Sequence, residues 1–127
     1  MAKLIHVMIR VQDLDRSVTF YRRALGLEES HRLEFPTFML LYLREPDSGF
    51  EIELTWNKGQ AEPYTHGSGY GHVAFCVGDL AKQRELMLGL GYAPGDIKSL
   101  GAAARFFFVT DPDGYKIEVL ERAGHYV

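Results

Sequence analysis

A single cysteine, Cys76, stands among 127 residues, which excludes an internal disulfide and any metal knuckle built from cysteines. No run of Lys or Arg offers a phosphate-binding patch, and 14 basic against 17 acidic side chains leave a net charge of -3. That mild acidity argues against a general nucleic-acid binder. No long apolar run is present, and the opening stretch MAKLIHVMIRV enters strand patterning directly, so neither a signal peptide nor a membrane span is expected. A reducing cytoplasm is the expected compartment, with neither nucleic acid nor membrane as partner. What the chain does have is an apolar share of 46%, enough at this length for one folded domain with a real core.

The chain also contains itself twice. His6-Val-Met-Ile-Arg-Val-Gln-Asp-Leu14 (HVMIRVQDL) lies over His72-Val-Ala-Phe-Cys-Val-Gly-Asp-Leu80 (HVAFCVGDL) at an offset of 66, matching His6/His72, Val7/Val73, Val11/Val77, Asp13/Asp79 and Leu14/Leu80. Farther on, GFEIEL (49–54) lies over GYKIEV (114–119) at an offset of 65, so one single-residue gap reconciles the two blocks. Matches at both ends of a half-chain point to a tandem duplication, with repeats over about 1–58 and 70–127. Between them, Gly59–Gly69 (GQAEPYTHGSG) has Pro, Gly and Ser but no apolar period, which predicts a linker.

Each half reads as a strand, a helix and then further strands. A strand over 4–11 ends at Asp13, whose carboxylate suits a helix N-cap. The helix predicted next carries Leu14, Val18, Tyr21 and Leu25 on one stripe and stops at Gly26. Strand patterns follow at Thr37–Leu43 and Phe50–Trp56, joined by the polar stretch 45–49. The second half predicts a strand over Tyr70–Val77, a cap at Asp79, a helix to about Gly89, and strands on either side of the turn Asp111-Pro-Asp-Gly114. Strands without intervening helices imply an α+β fold with largely antiparallel pairing.

Alternation along the matched strands sorts their side chains. Val7, Ile9 and Val11 oppose His6, Met8 and Arg10; Ile52 and Leu54 oppose Glu51, Glu53, Thr55 and Asn57. Val73, Phe75 and Val77 oppose His72, Ala74 and Cys76; Ile117 and Val119 oppose Glu118. The aliphatic stripe belongs under the helices, so the other face gathers two histidines and two glutamates. A lone His or Glu in such a place is usually solvated or hydrogen-bonded. Four of them at the same two points of a duplicated unit suggest more. Imidazole nitrogen and carboxylate oxygen are ligands for a borderline divalent ion, and two carboxylates balance its charge. His31, His66 and His125 have no repeat partner, and Cys76 reads as a small buried hydrophobe.

The stretches LIHVMIRVQDLDRSVTFYRRALGL, IELTWNKG, YGHVAF and DPDGYKIEVLE closely resemble the glyoxalase I (lactoylglutathione lyase) family of the vicinal-oxygen-chelate superfamily, over Leu4 to Glu121. The resemblance implies a single domain over 1–127, built of tandem βαβββ units that form a curved mixed sheet with helices on its outer face. It places the metal ligands at His6, Glu53, His72 and Glu118. It implies isomerisation of the methylglyoxal–glutathione hemithioacetal to S-lactoylglutathione, with Glu118 as principal base and Glu53 as its symmetric counterpart. Glutathione enters as part of the substrate, and Arg10 and Asn57 match residues that hold it. Lys98 is a loose match to a family lysine in a Lys-His-Gly stretch, which here reads KSLG; Arg105 is a nearby cation. The chain resembles the compact form that favours Ni²⁺ or Co²⁺, with Zn²⁺ also usable. Such enzymes are homodimers in which each site takes one half from each subunit.

Other members of the superfamily are the alternatives: an epimerase, an extradiol dioxygenase, a thiol transferase, or a drug-binding protein without metal. A dioxygenase uses two histidines and one carboxylate, so Glu53 is one ligand too many. A drug-binding protein would carry apolar or aromatic residues where this chain has His and Glu.

Overall fold

Both halves of the chain fold to one plan. The computed structural model describes residues 1–127. Its first unit, Met1–Thr65, contains β1 (His6–Val11), α1 (Leu14–Leu25), β2 (Glu28–Glu34), β3 (Phe38–Arg44) and β4 (Glu51–Asn57). Its second unit, His66–Val127, contains β5 (Val73–Val77), α2 (Leu80–Gly89), β6 (Lys98–Leu100), β7 (Ala104–Thr110) and β8 (Lys116–Glu121). The division falls inside the expected linker.

Sheet order is β1-β4-β3-β2 in the first unit and β5-β8-β7-β6 in the second. In each, the opening strand runs parallel to the closing one and the remaining pairs are antiparallel. The fold is thus α+β with mixed sheets, as the sequence implies. The parallel pair follows from the helix, which carries the chain back along the sheet before the later strands form.

Helix ends obey local chemistry. Asp13 accepts from the Arg16 amide at 3.0 Å, and Asp79 accepts from the Lys82 amide at 3.0 Å. Gly26 closes α1 at φ 73°, a left-handed conformation that costs glycine little. The buried face of α1 is Ser17, Phe20, Tyr21 and Ala24; of the predicted stripe only Tyr21 lies at its centre, with Leu14, Val18 and Leu25 half-buried at its margins. The stripe is shifted because Ser17 and Ala24, small residues that an apolar period does not register, are buried in it.

Two strand starts also differ from expectation. Pairing in β1 begins at His6, although the Ile5 carbonyl already accepts from the Glu51 amide at 3.1 Å. β5 begins at Val73 and not at Tyr70. There the Tyr70 hydroxyl, not a backbone ladder, reaches the chain opposite, donating to the Lys116 carbonyl at 3.1 Å. Periodicity also passes over β2, whose residues are all exposed and mostly charged, and so carry no apolar alternation. It forms because β3 offers it a free edge.

Most of the core lies on one face of the sheet in each unit. In the first, Ile9, Val11, Leu41, Leu43, Ile52 and Leu54 are buried along with the α1 residues and Leu27. In the second, Phe107, Val109, Ile117 and Val119 are buried with Leu80 and Met87 of α2, which packs on β7 and β8. Each fully buried side chain of this size contributes about 1.5–3 kcal/mol. That leaves the opposite face of each sheet free for polar groups.

Because each capping carboxylate satisfies a helix-end amide, Asp13→Ala and Asp79→Ala should each lower unfolding free energy by about 1 kcal/mol. Urea denaturation monitored by circular dichroism checks this; an unchanged midpoint at unchanged slope would contradict it.

Candidate functional site

Parallel register places Met8 beside Glu53 and Arg10 beside Thr55, while β3 places Tyr42 across from Glu53. All these side chains stand on the face away from the core. His6 begins β1 on that same face, and its Nε2 lies 2.9 Å from Glu53 Oε2. Glu53 is only 9% exposed because β4 is an inner strand with neighbours on both sides. A buried carboxylate needs partners, and two stand beside it: His6 at 2.9 Å, and Tyr42 directly across on β3. Burial, followed by the Glu53 and Glu51 carboxylates, pushes the Tyr42 hydroxyl above its ordinary pKa range. The Tyr42 ring also meets His6 edge-on, with centroids 5.7 Å apart. Glu51, one step along the same face, accepts from Ser30 and pairs with Arg44 at 3.5 Å.

The second unit repeats the arrangement. Glu118 on β8 stands between Ala74 of β5 and Phe108 of β7. His72 precedes β5, and its Nε2 lies 3.6 Å from Glu118 Oε1. The Phe108 ring meets His72 edge-on at 5.4 Å, as Tyr42 meets His6. The turn feeding β8 is held by Asp111, which accepts from the amides of Asp113 and Tyr115 at 2.9 Å each, and Gly114 adopts φ 89°. That turn fixes the phase of β8, and hence the face on which Glu118 emerges.

The sequence-predicted residues therefore fall into two pairs, His6 with Glu53 and His72 with Glu118. Each unit stops at two donors: no group of three or more His, Cys, Asp or Glu able to hold a metal ion occurs in the chain. The donor chemistry of each pair nonetheless suits a divalent cation. Nitrogen and oxygen ligands about 2.1 Å from an ion, at right angles to one another, stand about 3 Å apart, and separations of 2.9 and 3.6 Å bracket that spacing.

The predicted substrate residues are also on these faces. Arg10 follows two residues after Met8, and the Asn57 amide at the end of β4 donates to the Tyr64 hydroxyl at 3.4 Å. Lys98 of β6 is in register with Phe106, which shares its face with Phe108 and Glu118. Arg105 is on the other side of β7 and is engaged by Glu121 at 3.1 Å, so it is no substitute for Lys98.

Two residues emerge that the sequence reading passes over. Tyr42 is one; carrying the repeat through the third strand of each half would have paired it with Phe108 at the same offset of 66. His66 is the other: its ring stacks on Tyr115 at 4.1 Å, fastening the connecting segment to the Asp111 turn. No spacing in the sequence signals that contact.

Comparison with known proteins agrees with this plan. The family model described as Glyoxalase/Bleomycin resistance protein/Dioxygenase superfamily matches residues 3–119. The chain is 39% identical to a lactoylglutathione lyase of Haemophilus influenzae, with 94% of this chain and 92% of the relative aligned. It is 39% identical to a probable chloroplastic lactoylglutathione lyase of Arabidopsis thaliana, of whose length the alignment takes in only 36%. Among solved structures, the trypanothione-dependent glyoxalase I of Leishmania major superposes with a TM-score of 0.83 at 35% identity, covering 95% of this chain and 87% of that one. Glyoxalase I of Zea mays superposes with a TM-score of 0.87 at 29% identity, covering 96% of this chain and 45% of that one. With two units of one plan, a His–Glu pair on the open face of each, and a family match across nearly its whole length, the chain belongs to the glyoxalase/bleomycin resistance protein/dioxygenase superfamily.

Proposed function

We propose that the chain is a metal-dependent lactoylglutathione lyase, isomerising the hemithioacetal of methylglyoxal and glutathione to S-lactoylglutathione. The observation that carries this is the matched contact of His6 with Glu53 at 2.9 Å and of His72 with Glu118 at 3.6 Å. Similarity to lactoylglutathione lyases over nearly the whole of a bacterial relative supports the reaction assigned.

His6, Glu53, His72 and Glu118 would hold one divalent cation, Ni²⁺ or Co²⁺ by resemblance to the compact enzymes and Zn²⁺ as an alternative. When bound, that cation would polarise the two substrate oxygens and favour negative charge developing on them. Two donors per unit make half a site, so both units are required. A homodimer in which each site draws one pair from each subunit satisfies this, as the resemblance implies.

The residues divide the remaining work. Glu118 takes the proton from the sulfur-bearing carbon and returns it to the neighbouring carbon, while the hydroxyl proton of the first carbon passes to the former ketone oxygen. Atoms and electrons balance without an external oxidant. Glu53 is the matched carboxylate in the other half. Arg10, Asn57 and Lys98 hold the glutathione moiety, the two cations meeting its carboxylates. A reducing cytoplasm, where a free cysteine such as Cys76 persists, is the compartment that suits both this thiol and this chain.

Protein stripped by chelator should produce thioester absorbance from methylglyoxal and glutathione only after Ni²⁺, Co²⁺ or Zn²⁺ is restored. No thioester with any divalent ion would reject the reaction while leaving the paired side chains intact. Separately, Glu118→Gln should lower kcat by roughly 100-fold or more with an unchanged melting temperature. Turnover within a fewfold of the parent would reject Glu118 as the base.

A further inference from the structure

The two halves share an aromatic residue at the same point, and only one of the two carries a hydroxyl. In each half a histidine at or just before the first strand approaches a glutamate on the inner strand, and an aromatic ring on the next strand stands directly across from that glutamate. Tyr42 is across from Glu53 and Phe108 is across from Glu118. The rings also address the histidines alike, at 5.7 Å and 78° for Tyr42 with His6 and at 5.4 Å and 79° for Phe108 with His72. Ring position is therefore preserved through the duplication, and the phenolic oxygen is the difference.

That oxygen breaks the equivalence of the carboxylates. Glu53 has the hydroxyl-bearing ring of Tyr42 directly across from it and His6 at 2.9 Å, with its side chain 11% exposed. Glu118 faces a ring with no donor, has His72 at 3.6 Å, and is 17% exposed. Tyr42 is itself braced. The His31 ring lies 5.7 Å from its own. A carboxylate that must carry a proton from one carbon to the next has to shift; one anchored by a fixed donor resists shifting.

We propose that Tyr42 is a positioning residue that decides which matched carboxylate moves the proton, by anchoring Glu53 and so leaving that task to Glu118. The inference rests on the reading of the two His–Glu pairs as parts of one site. It assigns the mechanistic inequality of two halves with one plan to a single hydroxyl group.

Two variants and two readouts test it. Glu118→Gln should be nearly inactive, and adding Tyr42→Phe to it should restore kcat by about tenfold, because Glu53 is released to act. A merely structural role for Tyr42 would lower activity further. Phe108→Tyr in the parent should clamp Glu118 and reduce kcat by about tenfold at unchanged melting temperature. Independently of turnover, calorimetric Ni²⁺ titration should show about tenfold weaker binding for Tyr42→Phe, the usual effect of removing a group that orients a ligand, and tighter binding for Phe108→Tyr. No rescue in the double variant, together with an unaltered Ni²⁺ affinity for Tyr42→Phe, would overturn the role of Tyr42. Parent protein that binds no Ni²⁺ or makes no thioester would instead overturn the underlying site.

Discussion

Parallel pairing of the first strand with the last, in each half, fixes where imidazole meets carboxylate. A shift of one residue in that register would turn Glu53 or Glu118 into the core and bring an aliphatic side chain out in its place. The register is held from the apolar side: Ile9 and Val11 of β1, and Ile52 and Leu54 of β4, are all buried, so the strands have one arrangement that hides them. Ile117 and Val119 do the same for β8. The polar face thus inherits its geometry from the packing of the opposite one.

An inner strand is a demanding place for a glutamate. Glu53 has strands on both sides and little contact with water, and an unpartnered carboxylate there would be strongly destabilising. Its retention is intelligible only with partners, which His6 and Tyr42 provide. Arg44 and Ser30 attend to Glu51 in the same way. Acid is thus concentrated on one face of the sheet, and the two units repeat the His–Glu contact with different tightness, at 2.9 and 3.6 Å.

Most of this plan was legible in the chain itself, because strand alternation and an internal repeat are both properties of sequence. His6 and His72, like Glu53 and Glu118, share one offset up to a single gap, and the structure sets each histidine against its glutamate. The caps at Asp13 and Asp79 were legible for the same reason, since a carboxylate before a helix has one common use. What could not be read depends on contacts between distant residues. β2 has no apolar face to announce it, because it is an edge strand covered by nothing. The helix face of α1 includes the buried Ser17 and Ala24, which no period of large apolar residues reports. The start of β5 was misplaced because Tyr70 resembles a strand residue but spends its hydroxyl on the Lys116 carbonyl.

The proposed chemistry requires the two His–Glu pairs to act as one set of four ligands. A crystal structure of the Ni²⁺-loaded protein, with anomalous diffraction recorded at the nickel edge, tests this most directly. It should show one strong peak per chain, bound jointly by His6, Glu53, His72 and Glu118 whether they come from one copy or two. A peak held by a single pair, or by residues outside all four, would contradict it.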